Sequence, residues 1–202
     1  MAAVFIMKGI LNPADRIKSE LETAASTIAG AATVVAAPLA ELAQAVAERL
    51  QNGGKLFAFG NGGSAADAQH LAAEFVVRLG RDRPAMAAVA LTTDTSILTA
   101  GANDYGFEEV FARQVEALGR PGDVALGLST SGDSENVRRA LVRAGELGLF
   151  TAAFLGSGGG VIAPVVDLPV VVPSDDTQRV QEVHIAMCHA FTSLVEDIIV
   201  KP

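Results

Sequence analysis

The chain has 202 residues, half of them hydrophobic, with 19% charged residues and a formal net charge of −8. That length and apolarity suit one well-buried domain spanning 1–202, and the acidic balance argues against nucleic acid as the main partner. A mean hydropathy of +0.36 implies that part of the apolar surface is covered by other copies of the chain. The single cysteine, Cys188, excludes an internal disulfide and fits a reducing cytoplasm. No apolar run approaches the ~20 residues that cross a bilayer. The longest, Ala31 to Ala40, contains Pro38, and the apolar Met1 to Ile10 includes Lys8 and shows no cleavage site. No membrane partner is expected.

Residues 1–53 read as a helical extension. Pro13 to Ala29 and Ala32 to Asn52 have helical composition with a break at Gly30, which predicts a helical hairpin. Leu39, Leu42, Ala43, Val46 and Leu50 give its second arm an apolar stripe. From Lys55 onward short apolar runs alternate with helical segments. Strands are expected at Lys55–Phe59, Ala87–Leu91, Val124–Leu128, Thr151–Leu155 and Leu168–Val172. Helices are expected at Ser64–Leu79, Ser96–Ala100, Phe107–Leu118, Ser134–Leu147 and Thr177–Ile199. This alternation makes residues 54–202 an α/β unit with a mostly parallel sheet of five strands flanked by helices. Ligands of such sheets collect beyond the carboxyl ends of the strands.

The first strand runs into Gly60-Asn61-Gly62-Gly63 and then an Ala-rich helix, with Ser64 placed as its N-cap. Unpaired amides at a helix start make an anion cradle, although a Gly-rich turn also serves packing alone. On that helix His70 and Glu74 are four apart and share a face. The third strand ends in Ser129-Thr130-Ser131-Gly132-Asp133-Ser134, where hydroxyls and helix-start amides can hold a phosphate without Lys or Arg. Asn103 and Asp104 either bond sugar hydroxyls or form a plain turn. Gly156 to Gly160 reads as a flexible turn. The last helix carries Gln181, His184 and His189. Gln181 and His189 stand about 12 Å apart in rise and about 80° apart in direction. One metal takes both only if they lean together, or if they come from different chains.

The stretches GNGGSAADAQHLAAEF, LTTDTSILTAGANDYGFEEVFARQVEALG, LSTSGDSEN and RVQEVHIAMCHA, in this order over Lys55 to Ile199, closely resemble the phosphoheptose (sedoheptulose 7-phosphate) isomerase family. That family belongs to the sugar-isomerase (SIS) domain superfamily. The resemblance implies a flavodoxin-like three-layer SIS fold and a homotetramer with active sites at subunit interfaces. It implies the aldose–ketose isomerisation of sedoheptulose 7-phosphate to D-glycero-D-manno-heptose 7-phosphate through an enediol, toward ADP-heptose and cell-surface polysaccharide. Carried onto this chain, the substrate contacts fall on Asn61, Gly62, Gly63, Ser64, Glu74, Asn103, Asp104, Ser129, Thr130, Ser131, Ser134 and Gln181. One zinc per subunit falls to His70, Glu74, Gln181 and His189, with Glu74 as general base and His189 as general acid. This chain departs at Asp133, where relatives often have Asn or Lys, and at Gln178, where some carry an acid. The resemblance leaves two alternatives. One is a non-catalytic SIS adaptor of the replication-initiator-associating type, which lacks the counterparts of Glu74 and His189. The other is an isomerase of another sugar phosphate.

Overall fold

The computed structural model describes residues 12–200; the apolar segment Met1 to Ile10 lies outside them. Five parallel strands, β1 (Leu56–Gly60), β2 (Ala88–Ala90), β3 (Val124–Ser129), β4 (Phe150–Leu155) and β5 (Leu168–Val171), form one sheet in the order β2-β1-β3-β4-β5. That is the flavodoxin-like order, with its switch point between β1 and β3.

Alternate residues of each strand enter different layers, as the period of two dictates. Leu56 and Ala58 join the core under α1 (Pro13–Gln51), α2 (Gly63–Val76) and α6 (Thr177–Ile199). Phe57 and Phe59 point into the opposite layer with α4 (Ala112–Leu118) and α5 (Glu135–Glu146). In the first layer Phe75 of α2 stacks on Phe191 of α6 with ring centroids 5.6 Å apart. Each such fully buried ring is worth about 1.5–3 kcal/mol, so these two helices are pinned side by side. A short helix, α3 (Thr95–Tyr105), follows β2 and buries no residue at all.

The expected hairpin is not there: α1 is a single helix of 39 residues. Gly30 costs only about 1 kcal/mol relative to Ala inside a helix, and its Ala neighbours offer no turn to replace it. Pro38 forfeits one backbone bond, but the stripe Ala31, Val35, Leu39, Leu42, Ala43, Val46 and Ala47 runs unbroken past it into the core. Asn12 caps the start, its side chain accepting from the Ala14 amide at 3.1 Å. The helix contains an 18-residue window of mean hydropathy 1.5, long and apolar enough to cross a bilayer by length and composition. Counting only uninterrupted apolar runs had hidden this. Its amino-terminal half leaves Ile17, Leu21 and Ile28 uncovered.

The expected helix Phe107–Leu118 is divided into a 3-10 turn, Phe107–Glu109, and α4. In contrast α3 runs on through Asn103 and Asp104 and stops only at Gly106, whose φ is +94°.

Candidate active site

The loops after β1 and β3 leave the sheet toward opposite faces, one into α2 and one into α5, so the cleft between them opens at the switch point. A reciprocal pair of hydrogen bonds, Asn61 Nδ2 to Asn136 Oδ1 and Asn136 Nδ2 to Asn61 Oδ1, each 2.8 Å, ties the two loops together. The Asn61 amide is therefore engaged in holding the cleft, and Asn136 is a positioning residue that sequence reasoning passed over. The helix cap is Gly62, not Ser64, which lies buried inside α2. A serine cap was the wrong inference because the glycine, at φ +57°, turns the chain two residues earlier, and no side chain caps the helix start.

Across the cleft the Ser129 hydroxyl lies 3.0 Å from that of Ser134 and 3.5 Å from that of Ser131, and the Ser131 hydroxyl accepts from the Asp133 amide. Asp133 does not simply face water. Its Oδ1 accepts from the Val161 amide at 3.0 Å and binds this loop to the Gly156–Gly160 turn. That turn is packed: a Cβ on Gly132, at φ +73°, would collide with the backbone of Gly159 and Gly160. Thr130 sits half-buried beside it. Asn103 and Asp104 stand in the exposed last turn of α3, where the Asn103 amide donates to Asp104 at 2.7 Å.

Down α2, the residues Gly63, Asp67, His70 and Glu74 recur at spacings of four, three and four, which places them on one stripe facing α6. The Gln181 side chain lies against Gly63 so closely that a methyl group there would overlap its amide. Further along, His70 Nε2 and His189 Nε2 meet at 2.8 Å, their rings edge to face, and Glu74 Oε1 lies 3.5 Å from His70 Nε2. Glu74 and His189 thus both border a single atom. The 119 residues between the histidines are bridged because α2 and α6 run side by side in the same layer.

Asp67 was also missed, though its spacing of three before His70 could have revealed it. Burial raises its carboxyl above the usual aspartate value, opposed by His70 and by the Gln181 side chain. Its Oδ2 is buried with no hydrogen-bond partner. His184 is a core residue and no ligand. Burial beside Phe154 pushes its pKa down to about 4, with the Leu155 backbone pulling the other way. Cys188 is fully buried, and burial pushes its thiol up.

Imidazoles and a carboxylate are the donors zinc takes, and His70, Glu74 and His189 converge. Gln181 does not join them within the protomer, standing instead at the glycine end of α2. Two nitrogens on a tetrahedral zinc lie about 3.3 Å apart, so the 2.8 Å contact is a hydrogen bond between one protonated and one bare nitrogen. Among the described residues no group of three or more His, Cys, Asp or Glu is already arranged as a metal cage. The donors fit the metal in kind, and the spacing must open to admit it. Two large clefts, about 460 and 480 Å³, lie at the opposite, amino-terminal edge of the strands and are lined by none of these residues. The histidine pair lies on an open face of the protomer.

A five-stranded parallel sheet in this order, with serine and glycine loops at its switch point, defines an α/β protein of the flavodoxin-like class with a place for an anionic ligand beyond its strand ends. The SIS domain model matches residues 21–156. Phosphoheptose isomerase from Geotalea daltonii is 52% identical over 182 residues, 90% of this chain and 95% of that one. Its counterpart from Aquifex aeolicus is 49% identical over 92% of this chain and 97% of its own. The structure of a phosphoheptose isomerase from Francisella tularensis superposes with a TM-score of 0.89 at 34% identity, covering 93% of this chain and all of that one. The chain belongs to the phosphoheptose isomerase family of SIS-domain proteins.

Proposed function

We propose that this protein interconverts sedoheptulose 7-phosphate and D-glycero-D-manno-heptose 7-phosphate, with Glu74 and His189 moving the protons. The observation that carries this reading is the meeting of His70, Glu74 and His189 on facing stripes of α2 and α6. The start of α2 after Gly62, which no side chain caps, and the hydroxyls of Ser129, Thr130, Ser131 and Ser134 hold the phosphoryl end. They do so without a cation, so the sugar is anchored by hydrogen bonds and helix dipoles.

Glu74 takes the proton from C1 of the ketose. The C–H electrons become the C1–C2 double bond, and the C2 oxygen receives a proton from His189, giving the enediol. Returning a proton to C2 while the C1 hydroxyl gives one up yields the aldose, so protons and electrons balance. His70, hydrogen-bonded to His189, sets which of the two imidazoles presents a proton. Zinc would be held by His70, Glu74 and His189, with Gln181 as the fourth donor once it reaches the site, and would neutralise charge on the sugar oxygens.

The open face around the histidines, the uncovered Ile17, Leu21 and Ile28, and a surface helix carrying Asn103 and Asp104 support assembly as a homotetramer. Neighbouring copies complete each site, in the cytoplasm, on the route to ADP-heptose. Incubation with sedoheptulose 7-phosphate and product identification by NMR tests the activity. Glu74→Gln tests the base, and a variant with unchanged turnover overturns that role. Sedimentation and elemental analysis test the tetramer and the metal separately.

A further inference from the structure

Beneath the histidine pair lies a second junction of α2 and α6, fully enclosed. Arg83, its side chain wholly buried, donates from Nη2 to the Glu74 carbonyl at 2.7 Å and from Nη1 to the Phe75 carbonyl at 2.9 Å. These are among the last carbonyls of α2, which have no partner within the helix. The Nε of the same guanidinium donates to Glu196 Oε1 at 2.8 Å. Glu196 is on α6, seven residues beyond His189, and also accepts from the Leu79 and Gly80 amides at 3.0 and 3.3 Å. One buried ion pair thus grips the backbone of Glu74 from one side and the helix of His189 from the other.

We propose that Arg83 and Glu196 form a positioning clamp for the isomerisation, holding the last turn of α2 so that the Glu74 carboxylate keeps its distance from the imidazoles of α6. A helix end frays unless tied down, and Glu74 is the third residue from the end of α2. The planar fork of arginine suits two adjacent carbonyls and a carboxylate, whereas lysine offers a point charge. The clamp lies at the far end of α2 from the phosphate loops, so it acts on the chemical step and not on substrate capture. It rests on the reading of Glu74 as the base.

The test uses the full-length protein with sedoheptulose 7-phosphate, each variant first shown by circular dichroism to be folded at the assay temperature. A misplaced base lowers kcat, so Arg83→Lys and Glu196→Gln are expected to lose about tenfold to a hundredfold in kcat. KM is expected to stay within about twofold, the signature of an effect on the transition state alone. Arg81→Ala is the control. Arg81 pairs with Asp197 at 2.5 Å across the same junction but grips no α2 carbonyl, so kcat is expected to be unchanged. Wild-type kcat in the folded variants, or a matching rise in KM, overturns the clamp. If Arg83→Lys does not fold, Glu196→Gln, with its shape and one acceptor oxygen kept, decides. Glu74→Gln in the same assay separates the two levels: an active variant overturns the base itself, and an inactive one beside fully active clamp variants overturns the clamp alone.

Discussion

The loops beyond β1 and β3 and the seam between α2 and α6 are both polar, yet they come together in different ways. Each loop is a short local sequence whose glycines and hydroxyls dictate its shape, and one side-chain pair, Asn61 with Asn136, joins the two. In the seam the contacts that join its two sides are long-range: His70 with His189 and Glu196 with Leu79. Apolar packing, Phe75 on Phe191 among it, brings those partners together. In the proposed reading, grip on the phosphoryl group is thus encoded nearby in the chain, and proton chemistry is encoded by the core.

Breaking the seam at its chemical point has the largest expected effect. Glu74→Gln removes the proposed base and is expected to lower kcat by about 10²–10⁴-fold while circular dichroism and sedimentation stay unchanged. At its structural point, Arg83→Met leaves Glu196 buried without its cation, a loss of about 3–5 kcal/mol readable in a urea melt. The Glu196 carboxyl shows the same dependence. Burial alone would raise it, but the Leu79 amide, Arg83 and the Gly80 amide outweigh that and hold it below the ordinary glutamate value. Its contribution is therefore complete above pH 4.5 and lost as the pH falls through the lowered folded value.

The core behind the seam responds to pH in a different window. His184 titrates at about 4 when folded and at the ordinary 6.5 when unfolded. Between these values the unfolded chain binds the proton more readily, so stability is full above pH 6.5 and drains as the pH falls toward 4. The drop is on the order of 3 kcal/mol; His184→Phe is expected to flatten it in melts taken across that range.

Breaking the loops is milder. Asn136→Ala leaves Asn61 and the Val137 amide without a partner, costs about 1–2 kcal/mol and is expected to raise KM more than it lowers kcat. A matching loss in kcat instead would mean that the two regions are coupled. Arg81→Ala, at an exposed pair, is expected to change stability by no more than about 0.5 kcal/mol.

Much of this was legible beforehand, and the misreadings are informative. All five strands lie within one residue of their expected bounds, because buried parallel strands are continuous apolar runs between turn residues. The edge strand β2 falls one residue short at each end and β5 one short at its carboxyl end. Gly30 misled because a glycine among alanines has helical neighbours that outvote it, and Asn103-Asp104 misled because a turn-like composition also suits the end of a helix. Ser64 misled because Gly62, two residues before it, turns the chain into the helix first.

The sequence by itself determined the alternation of strands and helices, the glycine and serine loops, and the single face shared by His70 and Glu74, since all of these depend on neighbours a few residues away. Only the tertiary structure decided that His189 faces His70 while His184 is core, that Gln181 lies at the glycine end of α2, and that Arg83 reaches from the loop after α2 to Glu196. Those pairings are set by how α2 and α6 pack in one layer over the sheet, and helical periodicity says which residues share a face without saying which helix that face will meet.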